Sequence, residues 1–277
     1  MNYRKRLITI VSLLATGLTA SFAQTTAPAT PAVPAPAPAA AADTPSSSWV
    51  ITPSVASQYM FRGVRLGGPS FQPSVEFDYG ALAVGVWANV PMWDKVDGQS
   101  DPEFDFYGSY SFDVVKDTAT IVPGFTLYTY PNADRSNGFY KATFEPNLAF
   151  NYTIGIVKLT PKVYYDVVLK GPTAEFTASA AIPLKDQGTE IDLVATVGTF
   201  KWDDAVADST PDTKNWGNYW LVGASMPFQI TKDSKITPGI AYTDSSDNYY
   251  KQQGIAKSLN AAAVGRVVFT LSYAITF

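Results

Sequence analysis

From Trp49 onward, apolar and polar residues take turns along the chain, and this two-residue rhythm constrains the fold more than any other feature. Successive side chains of an extended strand point to opposite faces, so the rhythm gives each strand one apolar and one polar face. Between Glu103 and Val114, Phe104, Phe106, Tyr110, Phe112 and Val114 share one face, and Glu103, Asp105, Tyr107, Ser109, Ser111 and Asp113 share the other. The same partition sets Phe71, Pro73, Val75, Phe77 and Tyr79 against Ser70, Gln72, Ser74, Glu76 and Asp78. Further on, Val157, Leu159, Pro161, Val163, Tyr165, Val167 and Leu169 alternate with Lys158, Thr160, Lys162, Tyr164, Asp166 and Lys170. At the end, Val267, Phe269, Leu271, Tyr273, Ile275 and Phe277 form one face. Carried through residues 49–277, the rhythm predicts about twelve strands of membrane-spanning length. They fall at 49–62, 70–79, 81–92, 101–114, 117–131, 139–153, 155–170, 173–184, 189–202, 216–231, 234–245 and 262–277, with 216–231 alternating least.

The connections test this division independently. After the second, fourth, sixth, eighth and tenth strands the chain turns quickly, through Gly80, Lys116-Asp117, Thr153-Ile154, Lys185 to Gly188, and Lys232-Asp233. After most odd strands the links are longer and polar, as at Met92 to Ser100, Asn132 to Gly138, Asp203 to Asn215, and Ser246 to Ala261. Gly171-Pro172 is the short exception. Long links at one end and short ones at the other are expected of outer-membrane barrels, whose short turns face the periplasm. An even strand number then puts both termini there as well.

A soluble β-sandwich also alternates, with the apolar face as its core, but it gives no reason for links that alternate in length. Composition leans the same way. Aromatics make up 14% of the chain and charged residues only 16%, below the roughly 25% usual in soluble domains. Trp49, Phe61, Tyr79, Trp93, Tyr130, Trp202, Trp216 and Trp220 sit near predicted strand ends, where interfacial girdles belong. The Leu271, Tyr273, Ile275, Phe277 alternation resembles the C-terminal signal read by the barrel assembly machinery, an expected partner. The fold class expected is all-β, an antiparallel up-and-down transmembrane β-barrel. Only closure satisfies every backbone group in lipid.

Two segments precede the barrel. Arg4, Lys5 and Arg6, the apolar stretch Leu7 to Leu18, and Ser21-Phe22-Ala23 read as a signal peptide over residues 1–23, cleaved after Ala23. The rival is an uncleaved anchor helix, for which the apolar stretch is short. Residues 24–48 are almost wholly Ala, Pro, Thr and Ser, a composition that favours an extended disordered spacer over a cell-wall tether. Losing the three leader cations takes the 20 basic side chains to 17 against 24 acidic ones, a balance of −7 that argues against nucleic acid.

Gln58-Tyr59-Met60-Phe61-Arg62-Gly63, followed by Pro69 and the strand Phe71 to Tyr79, resembles the opening hairpin of the TorF-type porins, which carries a Tyr-x-Phe-Arg-Gly stretch. That family comprises barrel proteins of largely unassigned function. Val64-Arg65-Leu66-Gly67 stands where the family often has a small polar stretch. The resemblance implies an outer-membrane, porin-like protein and carries no catalytic residues to this chain.

If the aromatic faces meet outer-membrane lipid, the polar faces enclose the lumen. The pore-lining acids expected are Glu76, Asp78, Glu103, Asp105, Asp113, Glu145, Asp166, Glu175, Glu190 and Asp192, and the bases are Arg62, Lys141, Lys158, Lys162, Lys170, Lys235 and Arg266. Charged linings select among permeating solutes, and this set predicts at most a weak cation preference. These side chains either leave an open path or pair and fill the interior. Arg62 either lines the pore mouth or pairs with Glu76 or Asp78 on the neighbouring strand. The acidic stretches Asp203 to Asp212 and Asp244 to Asp247 lack the spacing of a calcium loop, and Gly63 to Gly68 lacks the Lys-Ser or Lys-Thr of a phosphate loop; no cofactor or metal is expected. Three functions follow from these residues. The first is passive diffusion of small hydrophilic solutes or ions. The second is a structural or adhesive barrel with a filled lumen. The third is a carboxylate enzyme through Glu103 and Asp105, disfavoured because the chain has no histidine to act as base.

Overall fold

The computed structural model of the protein describes residues 46–93, 101–133, 140–168, 170–201, 216–245 and 265–277. The expected signal peptide and nearly all of the spacer lie outside these residues.

The described residues form twelve membrane-length strands, four of them interrupted, in one antiparallel sheet closed on itself. They are β1 (Ser47–Thr52 and Ser54–Ala56), β2 (Ser70–Phe71 and Ser74–Tyr79), β3 (Leu82–Pro91), β4 (Glu103–Tyr110 and Phe112–Val115), β5 (Ala119–Thr129) and β6 (Ala142–Ile154). Then come β7 (Val157–Asp166), β8 (Gly171–Leu184), β9 (Thr189–Phe200), β10 (Gly217–Ser225 and Phe228–Thr231), β11 (Ser234–Ser245) and β12 (Arg266–Thr276). Each strand pairs with its neighbour in the chain, and β12 closes the ring on β1 through Val50↔Thr276, Ile51↔Ile275 and Thr270↔Ala56. Phe277 takes part in the seam, exchanging backbone hydrogen bonds with Trp49 at 2.9 and 3.2 Å. The interruptions in β1 and β2 fall at Pro53 and Pro73, which have no N–H to give to a ladder.

The expected strand at 49–62 is corrected by this arrangement. Its sheet pairing ends at Ala56, and residues 59–61 pair instead with Val64–Gly67 in a separate two-stranded hairpin. That hairpin turns out of the wall between β1 and β2.

The faces decide between barrel and sandwich. Phe106, Phe125, Phe144, Leu148, Val163, Phe176, Trp220 and Phe269 point outward and are exposed, Leu148 at 47% and Val163 at 53%. The residues between them, such as Asp105, Thr126, Glu145, Lys162 and Glu175, are enclosed. An apolar belt of this extent would be untenable against water and is what a barrel presents to hydrocarbon. A sandwich would have the opposite arrangement, with the rings between its sheets.

Candidate functional site

The enclosed face forms a lumen with two layers of charge. The turns after β2, β4, β6, β8 and β10 mark the end that holds both termini of the sheet, and the other links mark the loop end. Along each strand the alternation delivers every second side chain inward, so charges on strands distant in sequence meet inside.

In the loop-end layer the hairpin Tyr59–Gly67 occupies the lumen. Its turn is Arg62-Gly63, with φ of 49° and 76°. Two successive positive φ angles between paired residues are the signature of a tight I′ turn, whose twist matches the flanking strands. Gly63 is required here twice over. A Cβ at that position would stand 2.2 Å from the carbonyl oxygen of Asp244, so the tip is pressed against the wall at β11. Tyr59 packs with Trp87 and Tyr107, its ring 5.9 Å from the Trp87 ring, and its hydroxyl donates to Glu103. Met60 packs on Ala56 and Val268. Arg65 donates through Nε to Gln58 Oε1 at 2.6 Å, tying the base of the hairpin together.

Arg62 is the centre of this layer. Its Nη2 lies 2.8 and 2.9 Å from the two carboxylate oxygens of Glu145 on β6. The side chains are 2% and 1% exposed, so this ion pair is enclosed. The guanidinium carbon lies 4.7 Å from the Phe61 ring centroid and 5.1 Å from that of Tyr164. Arg62 therefore does not pair with Glu76 or Asp78 as expected. Those two lie on the terminal half of β2, whereas the hairpin carries Arg62 across to β6.

Tyrosines complete the layer. Tyr128 donates to Glu145 at 2.9 Å, Tyr130 to Glu103 at 2.9 Å, and Tyr219 and Tyr164 to Glu175 at 2.8 and 3.3 Å. Lys162 Nζ lies 4.7 Å from the Tyr164 ring centroid and interacts electrostatically with Glu175 and Glu145. Tyr219 lies flat over Gly198 of β9, its registered partner, where an added Cβ would come within 2.1 Å of the ring. Asp105 is buried beside Glu103, and Asp166 accepts from Thr143 at 2.5 Å and from the Val168 N–H at 2.9 Å.

The terminal-end layer holds Glu76 and Asp78 on β2, Lys158 on β7, Glu190 and Asp192 on β9, and Lys235 on β11. Tyr107 hydrogen-bonds Glu76, Ser48 donates to Asp78 at 3.5 Å, and Lys235 interacts electrostatically with Asp192 and Glu190. The remaining residues expected in the lining lie at the strand ends. Asp113, Lys141 and Lys170 are exposed at strand ends, and Arg266 is half-buried at the start of β12. Among the described residues no group of three or more acidic side chains is disposed to hold a metal ion. The acidic stretch 203–212 and residues 246–247 lie outside the described residues.

Sequence reasoning missed the inward aromatics Tyr59, Trp87, Tyr128, Phe200 and Tyr219, all buried. A signal existed for some of them. Tyr128 is in phase with Thr126, and Tyr107 and Tyr164 in phase with carboxylates, so a tyrosine on the polar beat marks a lumen hydroxyl.

The model of a family described as bacterial proteins of unknown function (Gcw_chp) matches residues 41–274. No curated protein matches the sequence. Among solved structures, the NanC porin is similar with a TM-score of 0.53 at 10% identity, over 82% of this chain and 98% of its own. The KdgM porin gives 0.53 at 10% identity, over 82% and 99%. The KdgM porin in complex with disordered oligogalacturonate gives 0.50 at 9% identity, over 83% and 99%. At such identities the likeness is one of fold.

Proposed function

The chain belongs to that bacterial family of unknown function, and from this premise we propose that it forms a narrow porin-like channel for small hydrophilic solutes in the outer membrane. One observation carries the reading: the closed sheet puts charge and hydroxyls, those of tyrosines included, inside and an apolar belt outside. An interior of carboxylates, lysines and tyrosines supports a wet lining. The short-turn end faces the periplasm, with residues 1–23 as export signal and 24–48 as spacer. The C-terminal strand ending at Phe277 serves recognition by the barrel assembly machinery. The Tyr-x-Phe-Arg-Gly resemblance to TorF-type porins supports the same assignment.

The inward hairpin is then the constriction. Carboxylates outnumber bases in both lumen layers, and Lys141 and Lys170 are exposed at strand ends, so cations are the preferred permeants. A second reading, a filled barrel whose external loops do the work, is favoured by the near-complete burial of Arg62 and Glu145.

Planar-bilayer recording of the refolded protein separates the two. Steady current with a cation-side reversal potential is expected. Silence from protein shown to be folded would favour the filled barrel, and a strong anion preference would overturn the inward assignments.

A further inference from the structure

The contacts that hold Arg62 have the form of a binding site. A planar guanidinium is taken by two carboxylate oxygens at 2.8 and 2.9 Å, with aromatic rings at 4.7 and 5.1 Å from its carbon. Both contacts come from one nitrogen, Nη2; a charge-assisted hydrogen bond to a carboxylate and aromatic faces beside the cation together favour a planar, weakly hydrated cation over a strongly hydrated one. Of these groups only Phe61 travels with Arg62 on the hairpin. Glu145, the Tyr128 hydroxyl that braces it, and the Tyr164 ring belong to the barrel wall and stay when the hairpin leaves.

We infer that the Glu145–Tyr128–Tyr164 pocket is a binding site for guanidinium-bearing solutes, and that Arg62 is its tethered occupant. The inference rests on the pore reading for its biological use, though the pocket itself does not. A buried carboxylate left without its cation is strongly unfavourable, so the hairpin cannot leave the pocket empty at low cost. A free guanidinium entering from solution takes the place of Arg62, keeps Glu145 neutralised and releases the hairpin from β6. The constriction then widens for the class of solute that opens it. Lys162 does not substitute for Arg62, because it engages Glu175 as well and its ammonium is more strongly hydrated than a guanidinium.

The test is chemical rescue of the full-length protein in detergent micelles, read by the temperature at which the heat-resistant folded form is lost. Arg62→Ala is expected to melt earlier than wild type. Millimolar guanidinium chloride is expected to return at least half of the lost interval, and sodium chloride at equal ionic strength none of it. In Arg62→Ala/Glu145→Gln the rescue disappears. Equal recovery with sodium, no recovery, or recovery that survives Glu145→Gln overturns the inference. Should Arg62→Ala fail to fold, Arg62→Met, which keeps much of the side-chain volume and removes the charge, takes its place with the same expectations. Melting needs no current. A silent bilayer with intact rescue removes the pore reading alone, and a conducting bilayer without rescue removes this inference alone.

Discussion

Arg62 and Glu145 are 83 residues apart in the chain and meet inside the barrel at 2.8 Å, the first on a hairpin that leaves the wall after β1 and the second on β6. In the ring the hairpin's anchors, β1 and β2, stand well apart from β6, with β3, β4 and β5 between them. The pair thus spans the lumen, in contrast to a cross-strand pair, which stays within one wall.

Breaking this pair from one side leaves a buried carboxylate without its cation, at a cost on the order of 3–5 kcal/mol. Arg62→Ala is therefore expected to lower the thermal stability of the folded barrel clearly, and also to raise conductance by freeing the hairpin. Melting by heat-modifiability and single-channel recording on the same preparation check both. Unchanged melting would show that the pair is solvated and worth little.

Gly63→Val places a branched side chain where there is no room, 2.2 Å from the Asp244 carbonyl oxygen at the Cβ alone, and at a φ of 76°. The tip must retreat from β11 while the barrel wall is untouched. The expected outcome is a larger unitary conductance with the β-sheet circular dichroism of wild type. Wild-type conductance would mean that the tip does not bound the path.

At Gly198 the added group meets a side chain in place of backbone. Gly198→Val would drive the Tyr219 ring off its seat and away from Glu175, with which it shares a 2.8 Å hydrogen bond. Overpacking of this kind costs about 1–3 kcal/mol. Restoring space with Gly198→Val/Tyr219→Ser should recover part of the lost stability in a double-mutant cycle, and strict additivity would deny the contact.

The outer face responds to charge by depth. Leu148, near the middle of β6 and 47% exposed, faces hydrocarbon. Leu148→Arg is expected to destabilise folding into vesicles by about 2–4 kcal/mol. Phe277→Arg, at the end of the sheet and 68% exposed, is expected to cost far less in stability. Equal penalties at the two sites would contradict the membrane placement of the belt.

Much of this architecture was open to reading from residues alone, because alternation is a property of neighbours. Phe104, Asp105 and Phe106 declare two faces whatever lies beyond them, and the turns at Gly80 and Lys232-Asp233 mark where the chain reverses. Strand number, order and closure follow from such local facts once the rings are assigned to lipid. The lumen hairpin did not follow. Tyr59, Met60, Phe61 and Arg62 read as well for a continuing strand as for a departing one, since backbone extension is common to both. What sends them inward is the set of partners that receive them: Glu103 for Tyr59, Glu145 and Tyr164 for Arg62, and the bare Gly63 against Asp244. Those partners lie tens to hundreds of residues downstream, and only the closed sheet brings them within hydrogen-bond range. A contact of a few ångströms between distant strands depends on register around the whole ring, and that information is spread over every pairing.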